Sequence, residues 1–153
     1  MNIEYNEFKF DNEKELNEIA EIHANIPHNR NKNFKATLEM IEEVKKEIIE
    51  CRNKSLDSIF LIAKYEIDIV GFHWLDKRII NGLEIAHIRS LEVQPEYRNK
   101  GIGKKLKDLG EEWAKKVNLK IITTKVSYDN KYMIEYNIKR DFRPLKVEMI
   151  KEM

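Results

Sequence analysis

Apolar residues recur along this chain at two periods, and the changes between them mark out its elements. Residues 3–10 alternate loosely, as a strand does. Leu16, Ile19, Ala20, Ile22, His23 and Ile26 then recur at spacings of three and four, which places them on one face of a helix. Asp11 or Asn12 can cap that helix, and Pro27 ends it. A polar, asparagine-rich loop over residues 27–33 leads into a second helix. Phe34, Leu38, Ile41, Val44 or Lys45, and Ile48 lie along one of its sides. Residues 59–63 read as a strand, 66–68 as a turn and 69–80 as the returning strand. Asn81-Gly82 predicts a type I′ hairpin, because that turn needs positive φ at both central residues. Residues 83–93 then pair back. Leu106, Leu109, Gly110, Trp113, Ala114 and Val117 set a helix over residues 103–117. A strand over 120–126 follows, then a helix from Asp129 or Asn130 to about Arg140, and one last strand or bent pair from Phe142 onward. The order is β-α-α-β-β-β-α-β-α-β.

Composition narrows the class. The 153 residues suffice for one sizeable core. No linker, repeat or low-complexity stretch divides them, so a single α+β domain over residues 1–153 is expected. Apolar residues make up 42% and charged residues 36%, yet the charges cancel to a formal +1. That balance speaks against nucleic acid as a partner. One cysteine, Cys51, excludes an internal disulfide and suits a reducing compartment; it reads as a small packing residue of the second helix. No apolar run reaches the roughly 20 residues of a membrane span. The opening Met-Asn-Ile-Glu-Tyr-Asn-Glu lacks a signal peptide's basic and apolar regions. A soluble cytoplasmic protein is expected, with no membrane partner and no metal.

The chemistry concentrates in residues 93–106, Val-Gln-Pro-Glu-Tyr-Arg-Asn-Lys-Gly-Ile-Gly-Lys-Lys-Leu. A strand, a short glycine-bearing loop and a helix start together make a phosphate site. Free backbone N–H groups point outward there, and the helix dipole favours negative charge. Gly101 and Gly103 let the backbone approach a ligand, and Arg98, Lys100, Lys104 and Lys105 bring positive charge. Two phosphate motifs do not fit. A P-loop would need Ser or Thr where Lys105 stands and Gly where Arg98 stands, and a dinucleotide fingerprint would need Gly in place of Leu106.

The pattern Arg98-x-x-Gly101-x-Gly103, preceded by Val93-x-Pro95 and followed by Leu106, resembles the pyrophosphate loop of the GNAT N-acetyltransferase superfamily, which binds acetyl-coenzyme A. The resemblance covers roughly residues 58–142 and rests on the order of elements alone before that. It implies the acyl-CoA N-acyltransferase fold, a mixed central sheet with helices on both faces. It implies acetyl transfer from acetyl-CoA to a primary amine of a small molecule or peptide. The alternative is a non-catalytic acyl-CoA binder or sensor of the same fold. Carried over residue by residue, the strand edge Leu91, Glu92 and Val93 would pair with the pantetheine amides. Arg98, Asn99, Lys100, Gly101, Ile102, Gly103 and Lys104 would hold the diphosphate. Asn130 resembles the Asn that binds near the pantetheine, and it reads equally well as a helix N-cap.

On the acceptor side, His87 lies eleven residues before Arg98, where several GNAT enzymes carry a Glu or His base. Histidine titrates near pH 6.5 in model peptides, which suits proton uptake at neutral pH. Strand alternation puts His87, Arg89, Leu91 and Val93 on one face and Glu84, Ala86, Ile88, Ser90 and Glu92 on the other, unless a bulge intervenes. A packed strand histidine is the plain alternative, and His73 is a rival base. His23 and His28 read as core-edge and loop residues. Many members carry a thiolate-protonating Tyr seven residues after the Asn. Asn137 stands there in this chain, and Tyr136 is one residue early, about 100° around a helix. The expected catalytic pair is therefore His87 and Asn137. The loop over 27–33 and the second helix would line the acceptor pocket, and neither names the acceptor. A homodimer is compatible with the sequence.

Overall fold

The computed structural model describes residues 1–29, 31–54 and 57–153; Arg30, in the asparagine-rich loop, lies outside them. The first elements follow their capping residues. After β1 (Glu4–Glu7), Asn12 accepts the Glu15 N–H at 3.1 Å and starts α1 (Glu13–Ala24), and a short 3₁₀ turn, Ile26–Asn29, follows. Thr37 Oγ1 accepts the Met40 N–H at 3.2 Å and starts α2 (Leu38–Asn53). That cap corrects the expected stripe: Phe34 falls before the helix, and Leu38, in its first turn, is 82% exposed.

Three long strands come next: β2 (Ser58–Tyr65), β3 (Asp68–Ile80) and β4 (Leu83–Val93). The β3–β4 turn is the expected one, with Asn81 at φ 50° and Gly82 at φ 79°. A 3₁₀ turn, Pro95–Tyr97, leads to α3 (Ile102–Lys116), then β5 (Ile122–Thr124) and α4 (Lys131–Ile138). The sheet order is β1-β2-β3-β4-β5, and β1–β2, β2–β3 and β3–β4 are antiparallel.

Two compact units divide the chain, Met1–Thr123 and Thr124–Met153. In the first, helices cover both faces of the sheet. On one, Phe60, Ile62, Phe72 and Trp74 meet Ile19 and Ala20 of α1 and Ile48 of α2, with Phe60 stacked on Trp74 at 4.8 Å. On the other, α3 lies close. A methyl group on Gly71 would come within 3.1 Å of Ile102 and Leu106. One on Gly110 would come within 2.8 Å of His73 Nε2 and 3.0 Å of Leu75. Gly110→Ala sets overpacking, about 1–3 kcal/mol, against a helix-propensity gain of about 1 kcal/mol. The net expectation is a loss of about 1 kcal/mol, read as a lower urea midpoint.

In the second unit, Asn130 accepts the Met133 N–H at 3.2 Å and caps α4, while Phe142 N–H donates to the Asn137 carbonyl at 3.0 Å. Two expectations fail toward this end. The strand over 120–126 shortens to three residues, and residues 142–153 form no strand. Leu145, Val147 and Met149 have the alternation of one but stand exposed.

Candidate functional site

The β4–α3 loop is built to present backbone amides. Gln94 fixes its entry: its N–H donates to the Val70 carbonyl at 2.9 Å and its side-chain amide to the Ile69 carbonyl at 2.6 Å. Asn99 (φ 59°) and Gly101 (φ 80°, ψ 0°) are both left-handed, and Gly101 is the N-cap of α3. A glycine has no side chain to spend on capping. No side-chain hydrogen bond caps α3, so its first-turn amides face outward with the positive end of the helix dipole. Nothing lies within 4 Å of a Cβ built on Gly101, and only Val93, at 3.6 Å, approaches one built on Gly103. The space a diphosphate needs is open.

The basic residues are arranged differently from the expected ring around that space. Arg98 turns back, donating from Nε to the Val93 carbonyl at 2.9 Å and from Nη2 to Glu92 at 2.8 Å. It ties the loop to the strand end. Lys100 donates to the Glu96 carbonyl at 2.9 Å, and Lys104 pairs with Asp108 at 3.1 Å with its side chain 68% exposed. Exposed pairs of that kind hold weakly, about 0–1 kcal/mol, so both ammonium groups can turn to an incoming anion.

Strand β4 carries the main surprise. Trp74 pairs with Ser90, but Leu75 pairs with Ile88, so Arg89 is an extra residue in a β-bulge. One added residue reverses the alternation beyond it. His87, opposite Asp76, and Arg89, over Trp74, face α1 and α2. Leu91 pairs with His73 and Val93 with Gly71, on the α3 side. His87 and Arg89 therefore do not share a face with Leu91 and Val93. His87 is 7% exposed, and its Nδ1 lies 2.8 Å from Thr123 Oγ1 of β5. The partner of β4 on that side is short, three residues against eleven. Among the described strands it cannot pair the whole edge of β4.

Arg89 is held on three sides. Its guanidinium carbon stands 3.8 Å over the Trp74 ring, Nη2 is 2.8 Å from Glu47 and Nε 3.7 Å from Asp76. Its Nη1 also reaches Cys51 Sγ at 3.6 Å. Burial raises the Cys51 thiol pKa, in keeping with a packing role. His23 packs edge-on to Trp74 at 5.2 Å, and burial, then the Arg89 charge, lowers its pKa. His28 Nδ1 lies 3.0 Å from the Phe34 carbonyl.

His73, the rival base, is fully buried, with Nδ1 2.9 Å from the Ser90 carbonyl. Burial, with help from the Lys107 charge and against that hydrogen bond, lowers its pKa to about 4. A group so weakly basic and so enclosed is a poor proton acceptor at neutral pH. It has a second consequence. The unfolded chain binds the proton near pH 6.5 and the folded one only near 4. This contribution is therefore neutral above pH 6.5 and turns against the fold as pH falls from 6.5 to 4. The slope is about 1.4 kcal/mol per pH unit, about 3 kcal/mol in all. Urea unfolding of His73→Gln should show a correspondingly flatter acid limb than the parent, and parallel limbs would remove His73 from the account.

Beside the loop, a hollow of about 520 Å³ is lined by Glu18, Glu21, Asn25, Asp68, Gln94 and Tyr97, with Ile22 and Ile69. Its lining has three carboxylates and no basic side chain. Gln94 and Tyr97 were not singled out from sequence. The only signal was their place between Val93 and Arg98. Of the remaining candidates, Asn130 and Asn137 belong to the second unit, where Asn137 is buried and Asn130 is the α4 cap. The Asn130 cap geometry bears out the capping half of its sequence reading.

Comparison with known proteins fits this geometry. A family model described as the acetyltransferase (GNAT) family matches residues 19–140. A search of curated proteins finds no match. Among solved structures, a GNAT-family acetyltransferase from Staphylococcus aureus subsp. aureus is 27% identical, with a TM-score of 0.66 over 79% of this chain and 98% of that one. An acetyl transferase from Pyrococcus furiosus is 22% identical, with a TM-score of 0.72 over 99% of this chain and 100% of that one. AAC(6′)-Iy, solved with the bisubstrate analog CoA-S-monomethyl-acetylneamine, is 13% identical, with a TM-score of 0.73 over 100% of this chain and 99% of that one. The last two likenesses are of fold alone. The family match spans most of the sheet, the uncapped α3 start and the bulged strand beside it, and on that ground the chain belongs to the GNAT acetyltransferase family.

Proposed function

We propose that residues 1–153 act as one acetyl-CoA-dependent N-acetyltransferase domain whose acceptor is a primary amine of a small molecule or peptide. The observation that carries this reading is the start of α3. A glycine N-cap in the left-handed region leaves the first-turn amides uncapped under open space. Such a helix start suits a diphosphate. The residues expected there fit the coenzyme: Gly101, Ile102, Gly103 and Lys104 at the helix start, Asn99 and Lys100 in the loop, and Arg98 bracing it from behind.

The chemistry asked of the protein is modest. Backbone along Leu91, Glu92 and Val93 would orient the pantetheine and offer an N–H to the thioester oxygen. Arg98 already occupies the Val93 carbonyl, so the strand's N–H groups are the more available partners. In the tautomer that donates Nδ1–H to Thr123 Oγ1, His87 would accept the amine proton at Nε2, directly or through a water. The bulge supports this division. It turns His87 toward α1 and α2 and Leu91 and Val93 toward α3, so amine and coenzyme would meet from opposite faces of β4. The carboxylates of Glu18, Glu21 and Asp68 suit an acceptor that arrives as an ammonium ion. The lone unpaired Cys51 suits a reducing cytoplasm.

Asn137 favours a second reading, a non-catalytic acyl-CoA binder, because an amide cannot protonate a thiolate. One assay separates the two. Acetyl-CoA-dependent release of free thiol should be measured against polyamines, aminoglycosides, amino acids and peptide N-termini. Turnover with any amine supports the transferase. Tight coenzyme binding with no turnover across the panel supports the binder.

A further inference from the structure

Arg89 is the only arginine or lysine of β4, and the bulge gives it the same face as His87. Bulges often stand beside active sites, where they re-aim a side chain. Only Ile88 separates the two residues, and two strand positions span roughly 6–7 Å, which one small molecule can bridge. The arginine is well fixed but lightly bonded. Trp74 supports its guanidinium from one side at 3.8 Å. Of the N–H donors of that fork, Nη2 makes the one strong bond among the described residues, to Glu47 Oε2 at 2.8 Å. Nη1 reaches only the Cys51 sulfur, at 3.6 Å, and Nε stands 3.7 Å from Asp76, whose carboxylate Arg78 already holds at 2.9 Å. The indole Nε1 of Trp74 is buried with no partner among the described residues, so a further donor stands unused beside the guanidinium.

Glu47 shows what this fork takes. Its carboxylate reaches Arg89 from α2 with the side chain 50% exposed, and the side chain of Arg89 is itself 22% exposed. An ion pair so open to water holds weakly, and a carboxylate from solution can replace it. A planar carboxylate accepting two parallel N–H bonds would hold better than the single bond of Glu47. An amine anchored in this way has its nitrogen carried toward His87.

We propose that Arg89 selects acceptors that carry a carboxylate as well as the amine. The substrate is then an amino acid, whose carboxylate displaces Glu47 from the guanidinium. This deepens the transferase reading and rests on it, since it takes His87 as the base.

Matched acceptors are the test: phenylalanine against phenethylamine, lysine against cadaverine, and the other amino acids against their decarboxylated amines. At least one amino acid is expected to exceed its amine in kcat/KM by tenfold or more. Arg89→Met should reduce that ratio at least tenfold, mainly through KM. Arg89→Lys, which keeps the charge and loses the fork, should fall between. Glu47→Gln removes the internal competitor and should lower the KM of the amino acid. The ratio cancels any general loss in a variant, and circular dichroism checks its fold. If no amine turns over while the coenzyme binds, the transferase reading fails by itself. Calorimetry of the same amino acids on the coenzyme-loaded protein then decides: binding weakened at least tenfold by Arg89→Met supports the role of Arg89, and no binding overturns it. Amines preferred without the carboxylate, a ratio that Arg89→Met leaves unmoved, or a KM that Glu47→Gln does not lower also overturns the proposal.

Discussion

His87→Ala is expected to slow acetyl transfer about 10²–10⁴-fold near neutral pH, the usual worth of a positioned general base. The loss should shrink as pH rises. A free primary amine of the lysine kind is fully protonated at pH 7 and sheds its proton unaided only toward pH 10, where the variant needs no base. Coenzyme binding should persist, because the phosphate loop is untouched. His87 is buried against Thr123, so His87→Gln, which can still bond Thr123 Oγ1, separates the loss of a base from the loss of a packing contact. Both variants slow, with rescue at high pH, is the expected result. A His87→Ala pH–rate profile parallel to the parent and equal in height would make His87 a structural residue.

Gly103→Val should cost the coenzyme and spare the fold. Its Cβ meets only Val93, at 3.6 Å, an ordinary contact, and its φ is not in the left-handed region. The branched side chain would fill the space over the first-turn amides. Hydrogen bonds from backbone to a charged group contribute about 1.5–3 kcal/mol each. Losing one or two predicts a rise in the acetyl-CoA Kd of at least tenfold, with little change in Tm. Gly101→Val should lose both, because a β-branched residue is strained at φ 80°. Calorimetry with unchanged affinity in a folded Gly103→Val would remove the coenzyme from this loop.

What could be read from the sequence was what neighbouring residues decide among themselves. Asn12 and Asn130 cap their helices, Asn81-Gly82 makes its turn, and β4 has its expected bounds, because each depends on a few adjacent residues. The candidate site was half legible for the same reason. Gly101 and Gly103 announce an open helix start wherever the rest of the chain lies. The bulge at Arg89 was not legible, since it is a mismatch between β3 and β4 and neither strand shows it alone. Nor was the inward turn of Arg98, which needs Glu92 and the Val93 carbonyl within reach. Thr37 displaced Phe34 and Leu38 from the predicted stripe because a cap outweighs an apolar spacing one turn earlier. The final strand failed differently. The pattern is present in Leu145, Val147 and Met149, but a strand exists only with a neighbour.

The bonds from Gln94 to Val70 and Ile69, and from Arg98 to Val93 and Glu92, hold the loop in shape before any ligand arrives. An anion therefore meets a finished surface and triggers no ordering step. Capture should be set by collision and orientation, with no rearrangement to wait for, at about the 10⁵–10⁷ M⁻¹s⁻¹ typical of docking without a conformational change, or higher. Added salt should slow it by screening Lys100, Lys104 and Lys105, and should leave the escape rate almost untouched.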